Sequence, residues 1–308
     1  MLQIKSKRGD TPMISEVEAL KLEKRHKVSN VFVKIGLYII IFFVLFCLFV
    51  PFFFMFISIF KDRQEIFSLD FHIFPQVWTV DNFSRLFYLQ YTTIGVNFFQ
   101  SFAMTLLVAF LGMFCSLFVN SLAGYAFARL NFPLKKVLWV IVITTMFIPN
   151  ITILLTSLSV VASLGMMNTI WVLVIPGVAS AYNMFFFRQF YLGFPKDYDE
   201  AARVDGCNSF QIFFKIYLPN SVTPMVIMGA GSFIGYFNSY LWPTLTIDNE
   251  HTQYMQIMSL INSLYNDRTT LGYGAVLAAS FIAIIPAVVV FFIVQRFIRD
   301  GIALTGVK

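Results

Sequence analysis

The sequence predicts an all-α integral membrane protein with six transmembrane helices and both termini in the cytoplasm. Three observations predict it. The 308 residues are 58% hydrophobic and only 12% charged, where soluble domains carry about 25% charged residues. Apolar runs of about 20 residues or more recur along the chain, and in hydrocarbon only a helix or a closed barrel satisfies its own backbone. Lys and Arg are spread unevenly between the two sets of connecting loops, and that bias orients the spans.

The runs lie at roughly 32–60, 97–127, 137–162, 170–187, 220–247 and 274–295. In the first, Tyr38 to Phe60 holds no charge at all. The fourth is short and interrupted by Pro176 and Gly177, and the fifth is rich in Gly and Ser. The expected organisation is an N-terminal segment at 1–30, a six-helix domain at 31–300 and a tail at 301–308. In the N-terminal segment Glu16, Glu18 and Glu23 mix with Lys21, Lys24 and Lys27. That suits either an amphipathic helix at the membrane surface or a disordered tether. The segment is not expected to be a secretory leader, because its polar stretch is too long and the first apolar run exceeds an h-region.

Eighteen of the 22 Lys and Arg fall in the N-terminal segment, the loops near 127–136 and 188–219, and the C-terminus. The other four are Lys61, Arg63, Arg85 and Arg268. Acidic residues split 9 to 7 between the same two sets, so the bias belongs to the cations. The cation-rich set is therefore expected in the cytoplasm. Two termini on one side require an even number of spans.

The loop at about 194–219 is the most informative segment. Pro195 and Asp197 mark a stop and a restart. Asp197 and Glu200 have N-cap and N3 spacing, and Asp199 and Glu200 suit the positive end of a helix dipole. Ala201 and Ala202 favour helix and leave room for another surface to approach the backbone. Gly206 is placed to end the helix in the left-handed conformation. Asn208 or Ser209 then caps a second helix running towards Leu218 and Pro219. The spacing alone fits an ordinary surface helix as well as one built to dock on a partner.

Glu200-Ala201-Ala202, then Gly206, then Ile216, Leu218 and Pro219, resembles the EAA loop of ABC-importer permeases. Leu122 to Arg129, Gly165 to Thr169, Phe190 to Gly206, Ala278-Ala279-Ser280, Pro286, Gln295-Arg296 and Gly301 to Lys308 are similar to maltose-type carbohydrate permeases. The resemblance covers roughly Phe52 to Lys308 and is nearest to the MalG-type subunit, the smaller six-span member of a permease pair. It implies a type I ABC-importer permease fold in the cytoplasmic membrane. It also implies that Asp197, Asp199, Glu200, Ala201, Ala202, Asp205, Gly206 and Pro219 form or frame a coupling helix held by a separate ATPase. The tail, through Gly301, Gly306 and Lys308, would reach between ATPase subunits. The implied partners are a homologous permease in a heterodimer, a cytoplasmic ATPase dimer, a solute-binding protein outside the membrane, membrane lipid and a carbohydrate, with no nucleic acid. The chain departs from the family at Phe237 to Pro243 and at Met255 to Asn262, and its tail ends at Lys308 where the family usually adds a Gly.

Polar groups inside hydrocarbon mark packing seams or a cavity. Gly112, Ser116, Asn120 and Gly124 recur at four-residue spacing, and Thr145, Pro149, Thr152 and Thr156 are similarly spaced. Such stripes are more often packing seams. In the fifth run Gly231, Gly235, Asn238 and Ser239 adjoin Tyr236, Tyr240 and Trp242, which suits sugar hydroxyls and C–H faces. The expected pathway set is Asn120, Thr152, Gly235, Tyr236, Asn238, Ser239, Tyr240 and Trp242. The extracellular stretches Phe67 to Trp78 and Asp248 to Arg268 are candidate surfaces for the binding protein, with Trp78 more readily a membrane anchor.

No catalytic constellation is present in the sequence. It lacks a Gly-x-x-x-x-Gly-Lys-Ser/Thr phosphate loop, so no cofactor is expected in this chain, and ATP and Mg are assigned to the partner ATPase. His26, His72 and His251 are isolated, and the three Cys form no framework. No acid or base sits mid-span, which argues against a proton-coupled carrier. The rival readings are import of another solute such as glycerol phosphate, or an ATPase-independent secondary transporter.

Overall fold

The computed structural model describes residues 16–66, 68, 70, 72–88, 96–266 and 272–305, with side chains from 33 to 265 in those ranges and from 273 to 298. Every regular element among the described residues is helical. In chain order they are α1 (Glu16–Ile59), α2 (Arg63–Ile66), α3 (Asp81–Tyr88), α4 (Phe98–Arg129), α5 (Lys135–Thr145), α6 (Asn150–Ser163), α7 (Ile170–Val174), α8 (Ala181–Leu192), α9 (Asp197–Val204), α10 (Ser209–Ile212), α11 (Val222–Phe237), α12 (Leu241–Thr246), α13 (Ile257–Asn266) and α14 (Gly272–Thr305).

The chain divides into two units, one ending at Met55 and one beginning at Phe56. The first consists of most of α1. That helix is continuous from Glu16, so the backbone shows no break near residue 30 between the N-terminal segment and the first apolar run. From Val33 onward it is apolar nearly all round, the mark of a helix surrounded by lipid. Rings four residues apart meet along it: Phe42 and Phe46 stack at 6.4 Å, and Phe49 and Phe53 lie tilted at 6.3 Å.

In the second unit α4 is the central rod. Asn97 caps it by accepting from the Gln100 N–H at 2.7 Å. At 1.5 Å per residue its 32 residues reach about 48 Å, more than a hydrocarbon core. Its buried stripe runs Ser101, Thr105, Val108, Gly112, Ser116, Asn120, Gly124. This is the small-residue seam expected from the sequence, and α8 and α11 pack on it. At Gly124 an added Cβ would stand 2.7 Å from the Cβ of Phe187, so α8 lies almost against the α4 backbone.

Three clusters form the core. One gathers Phe98, Ala109, Phe233, Phe237, Ile257, Leu260 and the Ala275 to Ala283 face of α14. A second gathers Tyr125, Phe187, Tyr191, Ala202, Phe213, Tyr217 and Met228. The third joins Val108 and Val161 to Val172–Val174.

The spans are less regular than the hydropathy. Val33–Ile59, Phe98–Arg129 and Tyr273–Ile298 are long enough to cross a membrane as single helices. The third run is broken: α5 and α6 meet at 108° around Pro149, which lacks an N–H and sits in extended conformation. Thr145 on α5 therefore shares no helix face with Thr152 and Thr156 on α6, and all three, with Pro149, are exposed. The fourth run is α7, a 3₁₀ turn at Ile175–Gly177 and α8, bent by 46°. The fifth begins as a 3₁₀ turn at Pro219–Ser221, continues as the 16 residues of α11, and restarts as α12 after Asn238–Tyr240. The last helix, α14, runs through Gly301 to Thr305. Gly306 and Lys308 lie outside the described residues, as do residues 1–15 and Arg268.

Asn82 of α3 ties the end of the first span to the rest. Its amide donates to Ile59 O at 2.6 Å and Lys61 O at 2.9 Å, both left without helical donors where α1 stops. A Cβ on Gly274 of α14 would stand 2.2 Å from Asn82 Oδ1. Gly274→Val should thus displace the amide and lower stability by about 1–3 kcal/mol. Gly231→Ala, with nothing within 4 Å of the new methyl, should leave it unchanged. Melting temperatures of the two variants in detergent check both outcomes.

Candidate functional site

The loop after α8 folds as two short helices with defined ends. The first, α9, opens at Lys196, which is already helical, and its carbonyl accepts from the Asp199 and Glu200 N–H groups at 2.9 and 3.1 Å. The expected Asp197 cap therefore does not form. The turn out of Gly193–Pro195 delivers the chain in helical conformation one residue early, so Asp197, Asp199 and Glu200 fill the first turn, where the helix dipole favours them. Gly206 takes φ +79°, and the Cys207 and Gly206 N–H groups bond to Ala202 O and Arg203 O at 2.9 and 3.0 Å. That is the Schellman stop. Asn208 caps α10 through a reciprocal box with Gln211, at 2.9 and 2.8 Å. A π turn at Phe213–Tyr217 follows, closed by Leu218 N–H to Phe213 O at 2.8 Å, and Pro219 ends it.

The two faces of α9 differ. Glu200, Ala201, Arg203, Val204 and Asp205 are exposed, and Val204 is 88% exposed. Asp197 is exposed as well. Ala202 is buried in the aromatic cluster of Tyr125, Tyr191, Phe213 and Tyr217. Asp199, three residues earlier on the same face, is also turned inward. Its carboxylate meets Arg129 Nη1 at 3.5 Å and accepts from Tyr217 OH at 2.8 Å. Arg129 also donates through Nη2 to Tyr191 O at 2.8 Å and to Phe194 O. The side chains of Arg129 and Asp199 are only 8% and 16% exposed. A cation so far out of water needs those partners. Burial, then the bonded Asp199, hold the Tyr217 phenol well above its ordinary range, so it stays a donor at neutral pH. Arg129 and Tyr217 were not among the sequence-predicted site residues. The available signal was an Arg closing a long apolar helix.

The predicted pathway residues fall into three groups. Asn120, Tyr236 and Trp242 converge on the break in the fourth run. Pro176 has no N–H to offer Val172 O, and Trp242 Nε1 donates to it at 2.8 Å. The 3₁₀ turn bonds the Val178 N–H to Ile175 O instead of Val174 O, and Tyr236 OH donates to Val174 O at 2.8 Å. Asn120 donates to Val178 O at 2.8 Å and accepts from the Ser180 N–H at 2.9 Å. Four backbone groups freed by the break are thus met by side chains from other helices. Tyr236 reaches its carbonyl through a slot between Gly112 and Gly177, where added Cβ atoms would stand 2.5 and 2.7 Å from it. Asn183 extends the seam to Ser232 Oγ at 3.0 Å. The second group, Gly235, Asn238, Ser239 and Tyr240, surrounds the α11–α12 junction, with Asn238 and Tyr240 exposed. Thr152 stands apart, exposed in the first turn of α6.

Outside these sites, Asn168 and Asp248 exchange hydrogen bonds at 2.6 and 2.9 Å, and His251 Nδ1 lies 2.7 Å from Asp248. Chiefly through His251, that carboxyl is held below its ordinary range. Among the described residues no group of His, Cys, Asp and Glu is arranged to hold a metal.

Removing the indole donor leaves a buried carbonyl unpaired, at about 1–3 kcal/mol. Asn120→Leu removes two partners at once and should lower the melting temperature more than Trp242→Phe does. Thr152→Val, at an exposed site, should have little effect.

The fold matches that of a bacterial ABC transporter involved in the import of the acidic polysaccharide alginate, with a TM-score of 0.71 over 87% of this chain and 97% of that one at 20% identity. An arabinooligosaccharides transport system permease protein of Halalkalibacterium halodurans is 29% identical over 236 residues, which cover 76% of this chain and 81% of that protein. A lactose transport system permease protein of Rhizobium radiobacter is 30% identical over 195 residues, covering 63% and 70%. The sequence model of binding-protein-dependent transport system inner membrane components matches residues 120–302, which include the end of α4 from Asn120, the broken fourth run, the α9–α10 loop and most of α14. This chain belongs to that family, as a permease of the maltose-type ABC importers.

Proposed function

We propose that the chain is one transmembrane subunit of an ATP-driven importer of a carbohydrate, an oligosaccharide being the best match to its relatives. The observation that carries the reading is α9, a helix with one face locked into its own protein and the other exposed. Its exposed groups, Glu200, Ala201, Arg203, Val204 and Asp205, with Asp197 at its start, are the surface offered to a separate ATPase, which binds ATP and Mg. Gly206 and Pro219 frame that surface, and Asp199 and Ala202 anchor it from within. The tail from Gly301 through Gly306 to Lys308 is assigned a contact between the ATPase subunits.

One such helix serves one ATPase, so a two-ATPase motor requires a second, homologous permease in a heterodimer. A solute-binding protein delivers the sugar on the outer side. In this reading the chain lies in the cytoplasmic membrane with six crossings and both termini inside. The N-terminal segment occupies 1–30, the permease domain 31–300 and the tail 301–308. The exposed Asn238 and Tyr240, with Gly235 and Ser239, line the solute path. Asn120, Tyr236 and Trp242 shape it by holding the broken helix, and Thr152 flanks it.

Two experiments test this. Leu164→Cys, beyond α6, should be labelled by an impermeant maleimide only from outside, and Asp205→Cys only from inside. Labelling of both from one side would make α5–α6 a re-entrant hairpin and sink the six-span arrangement. In cells, Glu200→Lys and Gly206→Trp should each abolish capture of the ATPase and reduce uptake at least tenfold. Uptake that survives both changes would favour an ATPase-independent transporter. A sugar panel titrated against the associated binding protein identifies the solute, and tight binding of glycerol 3-phosphate alone would exclude the carbohydrate.

A further inference from the structure

We infer that Arg129 is a positioning residue that makes α9 and the end of α4 one mechanical body, so that a pull on α9 is delivered to the central rod of the permease. The inference rests on the proposed function above.

The geometry is that of a joint with four members. One guanidinium, at the last turn of α4, holds the Asp199 carboxylate of α9 at 3.5 Å, the Tyr191 carbonyl at the end of α8 at 2.8 Å, and the Phe194 carbonyl of the connecting loop. Tyr217 of the π turn closes it from the fourth side. Its hydroxyl donates to the same carboxylate oxygen at 2.8 Å, and its ring lies 5.4 Å from the guanidinium carbon. The ring packs in turn on Tyr125 of α4, 4.9 Å between centroids, and on Phe194, 5.1 Å. A five-residue π turn shifts side chains relative to an α-helix, and here it accompanies the placement of the Tyr217 hydroxyl on Asp199.

The pair is enclosed: Arg129 Nε and Asp199 Oδ1 are both buried, and neither has a hydrogen-bond partner. Parting the carboxylate from the guanidinium would leave a buried charge on each side without its counter-ion, so sliding of α9 along α4 is opposed. Asp199 thus serves its own chain, and the ATPase reads the opposite face of α9.

The test uses the complete transporter in nanodiscs, with Cys47, Cys115 and Cys207 replaced by Ser. Spin labels sit at Phe114→Cys on α4 and Tyr198→Cys on α9, both exposed positions outside the surface assigned to the ATPase, and their separation is measured without nucleotide and with Mg-ATP plus vanadate. The parent should show the same distance in both states. Arg129→Gln, still assembled with the ATPase, should show a shift of about 2 Å or more between them, the scale of a helix displacement. Tyr217→Phe, which deletes one hydroxyl, should shift in the same sense by less, and it carries the test if Arg129→Gln fails to assemble. A role confined to folding would change assembly and leave the state-dependence of the distance untouched. A parent distance that itself changes, or variants as invariant as the parent, would overturn the joint. A parent that never captures the ATPase would overturn the reading beneath it.

Discussion

A backbone N–H or C=O that cannot reach water must find a partner inside the protein, and most of this fold is organised around that requirement. Straight helices meet it by themselves. This chain has few of them. Pro149, Pro176 and the Asn238–Tyr240 turn each interrupt an apolar run, and each interruption frees backbone groups that other parts of the chain then have to meet. At Pro176 the answer is complete: indole, phenol and amide groups from α4, α11 and α12 replace the bonds that the helix gave up. The seam is therefore made of polar tips on large side chains, and glycines open the room those side chains need.

Much of this was legible in the sequence. Pro176-Gly177 inside a short apolar run announced a break, Gly206 announced a left-handed stop, and Asn208-Ser209 announced a cap at one of two adjacent positions, because each of these residues answers to a local rule. The small-residue stripe of α4 was legible for the same reason: four-residue spacing puts it on one face whatever lies opposite. What stayed hidden depends on pairs distant in sequence. Asp199 and Ala202 share a face by helical period, yet nothing local says that this face turns inward. The reason is Arg129, some seventy positions earlier. Asn120 and Trp242 read equally well as groups lining a cavity, until the freed carbonyls they serve are in view. The Thr stripe of the third run failed as a pattern because Pro149 splits the helix that would have aligned it.

The same distinction separates the two ends of α9. Its first turn is held by long-range contacts: an ion pair, a phenol and a cluster of rings from four elements. Its last turn shares that ring cluster only through Ala202 and is closed by local bonds at Gly206, before the Asn208–Gln211 box opens α10. Charge and burial fix where the helix sits, and local hydrogen bonds fix where it ends.

That second arrangement bears on the kinetics of assembly. A segment that folds only on contact loses affinity to the entropy of becoming ordered. Here both helix ends are already closed by internal bonds, and the exposed side chains between them stand on a fixed frame. A protein meeting this surface encounters a finished shape, so the rate of association is governed by orientation and charge rather than by the time a flexible peptide needs to find its conformation.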